Sequence, residues 1–225
     1  PHVLFEKNKV VNPRNGLFRA ENPFASNELT NNNIFFLYEK GERDRNNRPI
    51  DHQKIISDIL IKTRNKNFKF GSGFHPSKVQ GYGVENIQDW SSVSRYLLRI
   101  KDQLTGAQIG IIILSRKLES FYIHLKNFFV KQFSPAINTQ FVKTKSLTDP
   151  KRGNSIMFNV VDQINVKMGG TNYYIDFYKE NIINNTINNA FLIIGLESKK
   201  IKGDICFCMH STTNKYLYKA ITETM

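Results

Sequence analysis

Cysteine is scarce, with Cys206 and Cys208 the only two in 225 residues. Two apart on a strand they share one face, with Cβ atoms roughly 7 Å apart, too far for an easy disulfide. They read as strand packing in a reducing compartment, which argues against a disulfide scaffold. With His210 they form a C-x-C-x-H string, short of the about four ligands at loop spacing that a zinc site uses. Long apolar runs are also missing: no stretch approaches the roughly 20 residues of a membrane span. Pro1-His2-Val3-Leu4 is no secretory signal, and without an initiator Met the chain reads as cut from something longer. Acid is in short supply, with 19 Asp and Glu against 32 Lys and Arg and a net charge of +13. That surplus favours polyanionic partners through counterion release from phosphates; a merely soluble basic surface is the competing reading. Hydrophobic residues make up 40%, a low share, but they cluster in periodic runs that can build a core.

The length allows one large domain, or one medium domain with part of another. Residues 1–75 are irregular and rich in Asn, Pro and Gly, with a turn signal at Asn12-Pro13-Arg14-Asn15-Gly16. Ile34-Phe35-Phe36-Leu37-Tyr38 reads as a buried strand and Glu39 to Arg45 as an exposed loop. Asp51 is placed to cap a helix carrying Ile55, Ile56, Ile59 and Leu60 on one face. Phe68-Lys69-Phe70 is a candidate second strand. Gly71-Ser72-Gly73 and Gly81-Tyr82-Gly83 lack the spacing and context of phosphate loops and read as loop glycines.

From there the alternation is regular. Asp89 or Ser91 starts a helix with Val93, Leu97, Leu98 and Ile100 toward a core. Gln108 to Leu114 is too apolar to face water and reads as a central parallel strand. Ser115 to Ser120 is a polar loop, and Phe121 to Phe133 a helix burying Leu125, Phe128 and Phe129. Ala136 to Val142 is the next strand and Thr144 to Gly153 a basic loop. Asn154 or Ser155 caps a helix running through Met168 and ended by Gly169-Gly170. This order predicts a doubly wound α/β layer, whose ligands bind beyond the carboxyl ends of its strands. After Gly170, Asn172 to Tyr178 reads as a strand and Asn181 to Asn189 as an asparagine-rich linker. Phe191 to Glu197, Gly203 to His210 and Lys215 to Ile221 then read as an antiparallel meander.

Five side chains from three segments stand out. Tyr122 and Lys126 lie four apart on one helix, Gln163 and Lys167 four apart on another, and Gln140 sits in the strand between. A terminal phosphate needs cations for its charge and donors for its oxygens, and lysine supplies both. Glutamine amides can donate to phosphate, and a tyrosine ring can stack on a terminal base. Each i,i+4 pair alone is unremarkable, since solvated lysines and core-edge tyrosines recur by accident. The ordered set is not. His124 points to another face of its helix and has no obvious carboxylate or nucleophile partner, so it reads as a surface histidine.

Tyr-x-x-x-Lys, then Thr139-Gln140-x-Val142, then Asn165-x-Lys167-Met168-Gly169-Gly170-x-Asn172 resembles the MID domain of Argonaute/Piwi proteins. The resemblance runs from about Gln108 to Glu197. It implies a Rossmann-like MID domain, its parallel sheet flanked by helices, followed by the first strands of a truncated RNase H-like PIWI domain. The implied divisions are 1–75 as linker and early MID region, 76–170 as MID core, and 171–225 as the start of PIWI. The implied partner is a small guide RNA with a 5′ phosphate, and target RNA through a longer parent protein. In that scheme Tyr122 stacks on the first base and contacts the phosphate. Lys126 and Lys167 neutralise the phosphate, Gln140 donates to it, and Asn165 is not assigned to the ligand. The basic residues Lys143, Lys145, Lys151 and Arg152 would follow the guide backbone. Ser115 to Phe121 stands where the family discriminates the first base.

Gln163 occupies a position where many Argonaute-clade members carry lysine and Piwi-clade members often carry glutamine with a divalent cation. One missing positive charge leaves a crowded anion under-neutralised, so Mg²⁺ near Gln163 is an expected cofactor. Val166, in place of a common Piwi cysteine, leaves the clade open. Ile194-Gly195-Leu196-Glu197 resembles the first PIWI strand, with Glu197 where the family's first catalytic residue is normally Asp. Two-metal cleavage needs several placed carboxylates. The rest would lie beyond Met225, so the chain itself is expected not to cleave RNA. The expected residence is cytoplasmic or nuclear. Two alternatives to a pure 5′-end anchor stay open: the anchor half of a metal-dependent slicer, and a basic α/β domain that binds nucleic acid without reading its end.

Overall fold

The computed structural model describes Pro23, residues 25–170 and Asn172, together with the backbone of the strands named below that lie outside that span. In chain order the first compact unit, Pro1–Lys179, holds β1 (Val3–Leu4), β2 (Val10–Val11), β3 (Ile34–Glu39), α1 (His52–Asn65), β4 (Gln80–Val84) and α2 (Trp90–Arg99). It continues with β5 (Ile109–Leu114), the one-turn α3 (Arg116–Glu119), α4 (Tyr122–Lys131), β6 (Asn138–Lys143), the one-turn α5 (Thr144–Leu147), α6 (Gly153–Lys167) and β7 (Tyr174–Ile175). β3 to β6 form a four-stranded, all-parallel sheet in the order β4-β3-β5-β6. β1 pairs antiparallel with both β2 and β7.

The two-residue period of the strands sorts their side chains into two cores. Ile34, Phe36, Ile109, Ile111, Ile113 and Val142 pack on one face against Ile55, Ile56, Ile59 and Leu60 of α1 and Met157, Val160, Val161 and Ile164 of α6. Phe35, Leu37, Ile112 and Leu114 pack on the other against Val93 and Leu97 of α2 and Leu125, Phe128 and Phe129 of α4. All six residues of β5 are buried, as its apolar run required of a central strand. The fold is α/β, a parallel sheet with helices on both faces.

The helix starts follow their capping chemistry. The Asp51 carboxylate accepts from the Lys54 N–H at 2.9 Å, and Asp89 and Ser92 form a capping box at α2. Asp51→Ala is expected to cost about 1 kcal/mol, read as a lower urea midpoint with an unchanged slope.

Several local readings are corrected. The second strand is Gln80–Val84, not Phe68–Phe70, which makes only a single bridge from Phe70 to Leu29. Gly81 and Gly83 are therefore strand residues. A Cβ on Gly81 would lie 3.1 Å from Ile56 Cδ1 and one on Gly83 3.0 Å from Lys40 Cβ and 3.2 Å from the Tyr38 ring, so bare backbone lets these side chains pack close to the strand. Glu39 belongs to β3 and is buried, its carboxylate meeting Lys117 Nζ at 3.0 Å. Leu98 is 52% exposed, because the sheet-facing stripe of α2 runs through Val93 and Leu97 and passes it by. Ser115–Ser120 contains α3, capped by Ser115 and anchored by the fully buried Leu118. Thr144–Leu147 is helical too: Thr144 and Leu147 are buried, and the Thr144 hydroxyl donates to Glu42, which also meets the buried His52 at 2.9 Å. α6 starts at Gly153, ahead of the expected Asn154 or Ser155 cap. Just before it, Asp149 accepts from the Lys151 and Arg152 N–H groups at 2.8 and 2.9 Å, and those bonds hold its carboxyl below the usual range.

The second unit, Glu180–Met225, contains β8 (Ile194–Ile201), β9 (Asp204–Ser211) and β10 (Ala220–Glu223). They form an antiparallel meander in the order β10-β9-β8. Cys206 and Cys208 both lie on β9, opposite Lys199 and Glu197 of β8. The asparagine-rich linker lies outside the described residues. No described helix is long and apolar enough to cross a membrane.

Candidate nucleic-acid interface

β6 is the last strand of its sheet, and that position makes the site. α4 packs on one face of the sheet and α6 on the other. Beyond β6 nothing in the sheet separates them, so side chains from opposite faces can meet around the edge. Lys167, the last residue of α6, reaches β6: its Nζ donates to the Thr139 carbonyl and, at 2.9 Å, to Gln140 Oε1. Lys167 as a residue is exposed, yet its ammonium is drawn against the strand. Burial, and then the Lys126 charge, pull its pKa below the ordinary lysine value. Among the described residues neither lysine has a carboxylate partner.

Gln140 is buried, and its Nε2 donates to the Phe141 carbonyl at 2.9 Å. The amide thus orients Lys167 with its oxygen and keeps a second N–H for another acceptor. Tyr122 is half-buried, its ring edge-on to Phe141 with centroids 4.6 Å apart. It lines a cleft of about 550 Å³ at the carboxyl ends of β5 and β6, together with Leu114, Glu119, Phe141 and Lys143. Lys143 pairs there with Glu119, so its charge is matched locally. The Gln163 side chain is exposed one turn before Lys167 and makes no hydrogen bond among the described residues. The structure therefore joins Gln140 and Lys167, carries Lys126 on the same helix as Tyr122, and leaves Gln163 one turn before Lys167; none of these four polar residues lines the cleft beside Tyr122. His124 is exposed and stacks on Trp90 at 5.1 Å. Glu197 lies on β8 in the second unit.

Other residues work behind these. Asn165 is buried, and its amide donates to the Ala25 carbonyl and to Asn172 Oδ1 at 3.1 and 2.8 Å, tying α6 to the segments before and after it. Gly169 ends the helix at φ +86°, a conformation glycine adopts freely. Asn138 donates to the Lys167 carbonyl at 2.9 Å. Nothing in the sequence marks Asn138, because asparagine is so common here that one more carries no signal; its place directly before Thr139-Gln140 is the one clue.

The Piwi-domain family model matches residues 109–221, half of the chain, from β5 through β10. The fold superposes on the N. crassa QDE-2 AGO MID-PIWI domains with a TM-score of 0.59 at 13% identity, over 90% of this chain and 53% of that one. The N. crassa QDE-2 AGO MID domain aligns with a TM-score of 0.44 at 15% identity, over 60% of this chain and 97% of that one. No curated protein matches. With the Piwi-domain match in its sequence and the α/β architecture in its fold, this chain belongs to the Argonaute/Piwi family. It spans about half the length of the MID-PIWI chain it resembles.

Proposed function

We propose that this chain binds the 5′-phosphorylated end of a small guide RNA, as the MID part of an Argonaute/Piwi protein acting in RNA-mediated gene silencing. The observation that carries the reading is the Lys167 ammonium, held at β6 by Thr139 O and Gln140 Oε1, its pKa lowered by burial and then by the Lys126 charge, with neither lysine matched by a carboxylate among the described residues. Such an arrangement is unfavourable in itself and is relieved by a dianion. Gln140's second N–H supplies a donor, and Tyr122 offers its ring to the first base inside the cleft. Target RNA reaches the complex by pairing with the guide in the parent protein, in the cytoplasm or nucleus.

Mg²⁺ is the cofactor this proposal includes. No group of three His, Cys, Asp or Glu side chains capable of caging a metal occurs among the described residues. The residues fit a cation held mainly by phosphate oxygens and water, as Mg²⁺ commonly is, with the exposed, unengaged Gln163 amide as its protein oxygen. When bound, the ion would supply the positive charge that a lysine at this position would otherwise bring. No cleavage step is assigned to the chain; Glu197, on the first strand of a reading as RNase H-like, is left to the parent protein.

The test is binding of one RNA sequence with a 5′ phosphate or a 5′ hydroxyl, each with and without EDTA. Charge-assisted hydrogen bonds of about 1.5–3 kcal/mol predict a preference for the phosphate of about ten- to hundredfold, narrowed by EDTA. Equal affinity for the two ends returns the chain to a basic domain that does not read ends; indifference to EDTA removes the metal alone.

A further inference from the structure

The end of α6 is an unusual place for an anion. Helix C-termini present carbonyls with partial negative charge, and phosphates are commonly bound at the opposite end. Lys167 is the last residue of α6, so its own carbonyl and the next belong to that negative end. The carbonyls before them are met by backbone. Ile164 O and Asn165 O accept from the Met168 N–H at 3.0 and 3.2 Å, Asn165 O also accepts from Gly170 at 2.9 Å, and Val166 O accepts from Gly169 at 2.9 Å. Among the described residues no backbone donor reaches Lys167 O or Met168 O. Side-chain amides do: Asn138 Nδ2 donates to Lys167 O at 2.9 Å, and Asn27 Nδ2 donates to Met168 O.

We propose that Asn138 is a positioning residue of the 5′-phosphate site, acting through Lys167; this rests on the function proposed above. Three consecutive residues of β6 grip Lys167. Asn138 holds its carbonyl, Thr139 O and Gln140 Oε1 hold its ammonium. The first contact sets the backbone from which the other two are reached. It also engages one of the carbonyls at the negative end of α6, offsetting part of the partial charge there. Asn27 does the same for the following carbonyl, but from a separate segment of chain, whereas Asn138 ties helix end and site strand together directly.

The experiment uses the full chain and paired RNAs with a 5′ phosphate or 5′ hydroxyl. Asn138→Asp keeps the shape, removes the donor and adds a charge that competes for Lys167. The ratio of 5′-phosphate to 5′-hydroxyl affinity is expected to fall about tenfold. Tm should stay close to wild type, because Asn138 is an exposed side chain. Asn138→Gln, which retains an amide donor, should keep most of the ratio. If wild type shows the preference and Asn138→Asp leaves it unchanged, the inference is overturned while the site reading stands. A parallel fall in both affinities, or a lower Tm with the ratio kept, makes Asn138 an ordinary structural residue and overturns it equally. Equal wild-type affinities sink the site reading and this inference together, and that outcome is visible before any variant is made.

Discussion

Lys167→Ala should remove most of the preference for a 5′-phosphorylated RNA end, lowering that affinity about ten- to hundredfold while leaving 5′-hydroxyl RNA little changed. The side chain is held by the Thr139 carbonyl and Gln140, so in the free protein it is already where the ligand needs it, with little ordering left to do on binding. Its depressed pKa, from burial and then from Lys126, adds a second expectation. The unfolded chain holds this proton more tightly than the folded one. Stability therefore rises with pH between the folded and unfolded pKa values, and below that window the full cost of keeping the ammonium charged is present. At neutral pH Lys167→Ala removes that cost but also leaves the buried Gln140 Oε1 without its donor, so Tm is expected to change little even as binding is lost. A variant that binds phosphorylated ends normally would end the proposed role. One that loses several degrees in Tm would show that the lysine is there for the fold.

The second large effect concerns stability alone. Gly110→Ala is expected to destabilise the chain by about 2–3 kcal/mol, with a correspondingly lower urea midpoint. In the parallel register Gly110 lies opposite Phe35, and the Phe35 ring occupies the space a side chain would fill: an added Cβ would fall 2.3 Å from Phe35 Cζ. Phe35 is buried and packs in turn on Phe129 at 5.7 Å and Tyr82 at 6.1 Å, so the ring has little room to yield. A variant as stable as wild type would mean that Phe35 can leave this seat at no cost. The strand itself was legible in Gln108 to Leu114. The reason for its glycine was not, since the partner that fills the gap stands on a different strand about 75 residues earlier in the chain.

The same contrast runs through the site. Tyr122 with Lys126 and Gln163 with Lys167 could be paired by helical spacing, and Gln140 placed on a strand by alternation. Local physics suffices for that much: apolar periodicity, a capping aspartate and a terminating glycine act within a few residues of one another. Gln80–Val84 is not legible locally because its glycines answer to side chains from other segments, Ile56, Lys40 and Tyr38, rather than to local preference. Residues 115–120 and 144–147 escaped because single buried side chains, Leu118 and Leu147, draw polar stretches into helical turns.

The sequence by itself determined the elements, the excess of positive charge and the identity of the side chains available to an anion. Only the tertiary structure decided that Lys167 of α6 reaches Thr139 and Gln140 of β6. Lys126 and Lys167 belong to helices on opposite faces of one sheet, and the order β4-β3-β5-β6 leaves β6 at the edge between them. Strand order arises from packing over the whole chain, so no pattern within a helix or strand encodes it.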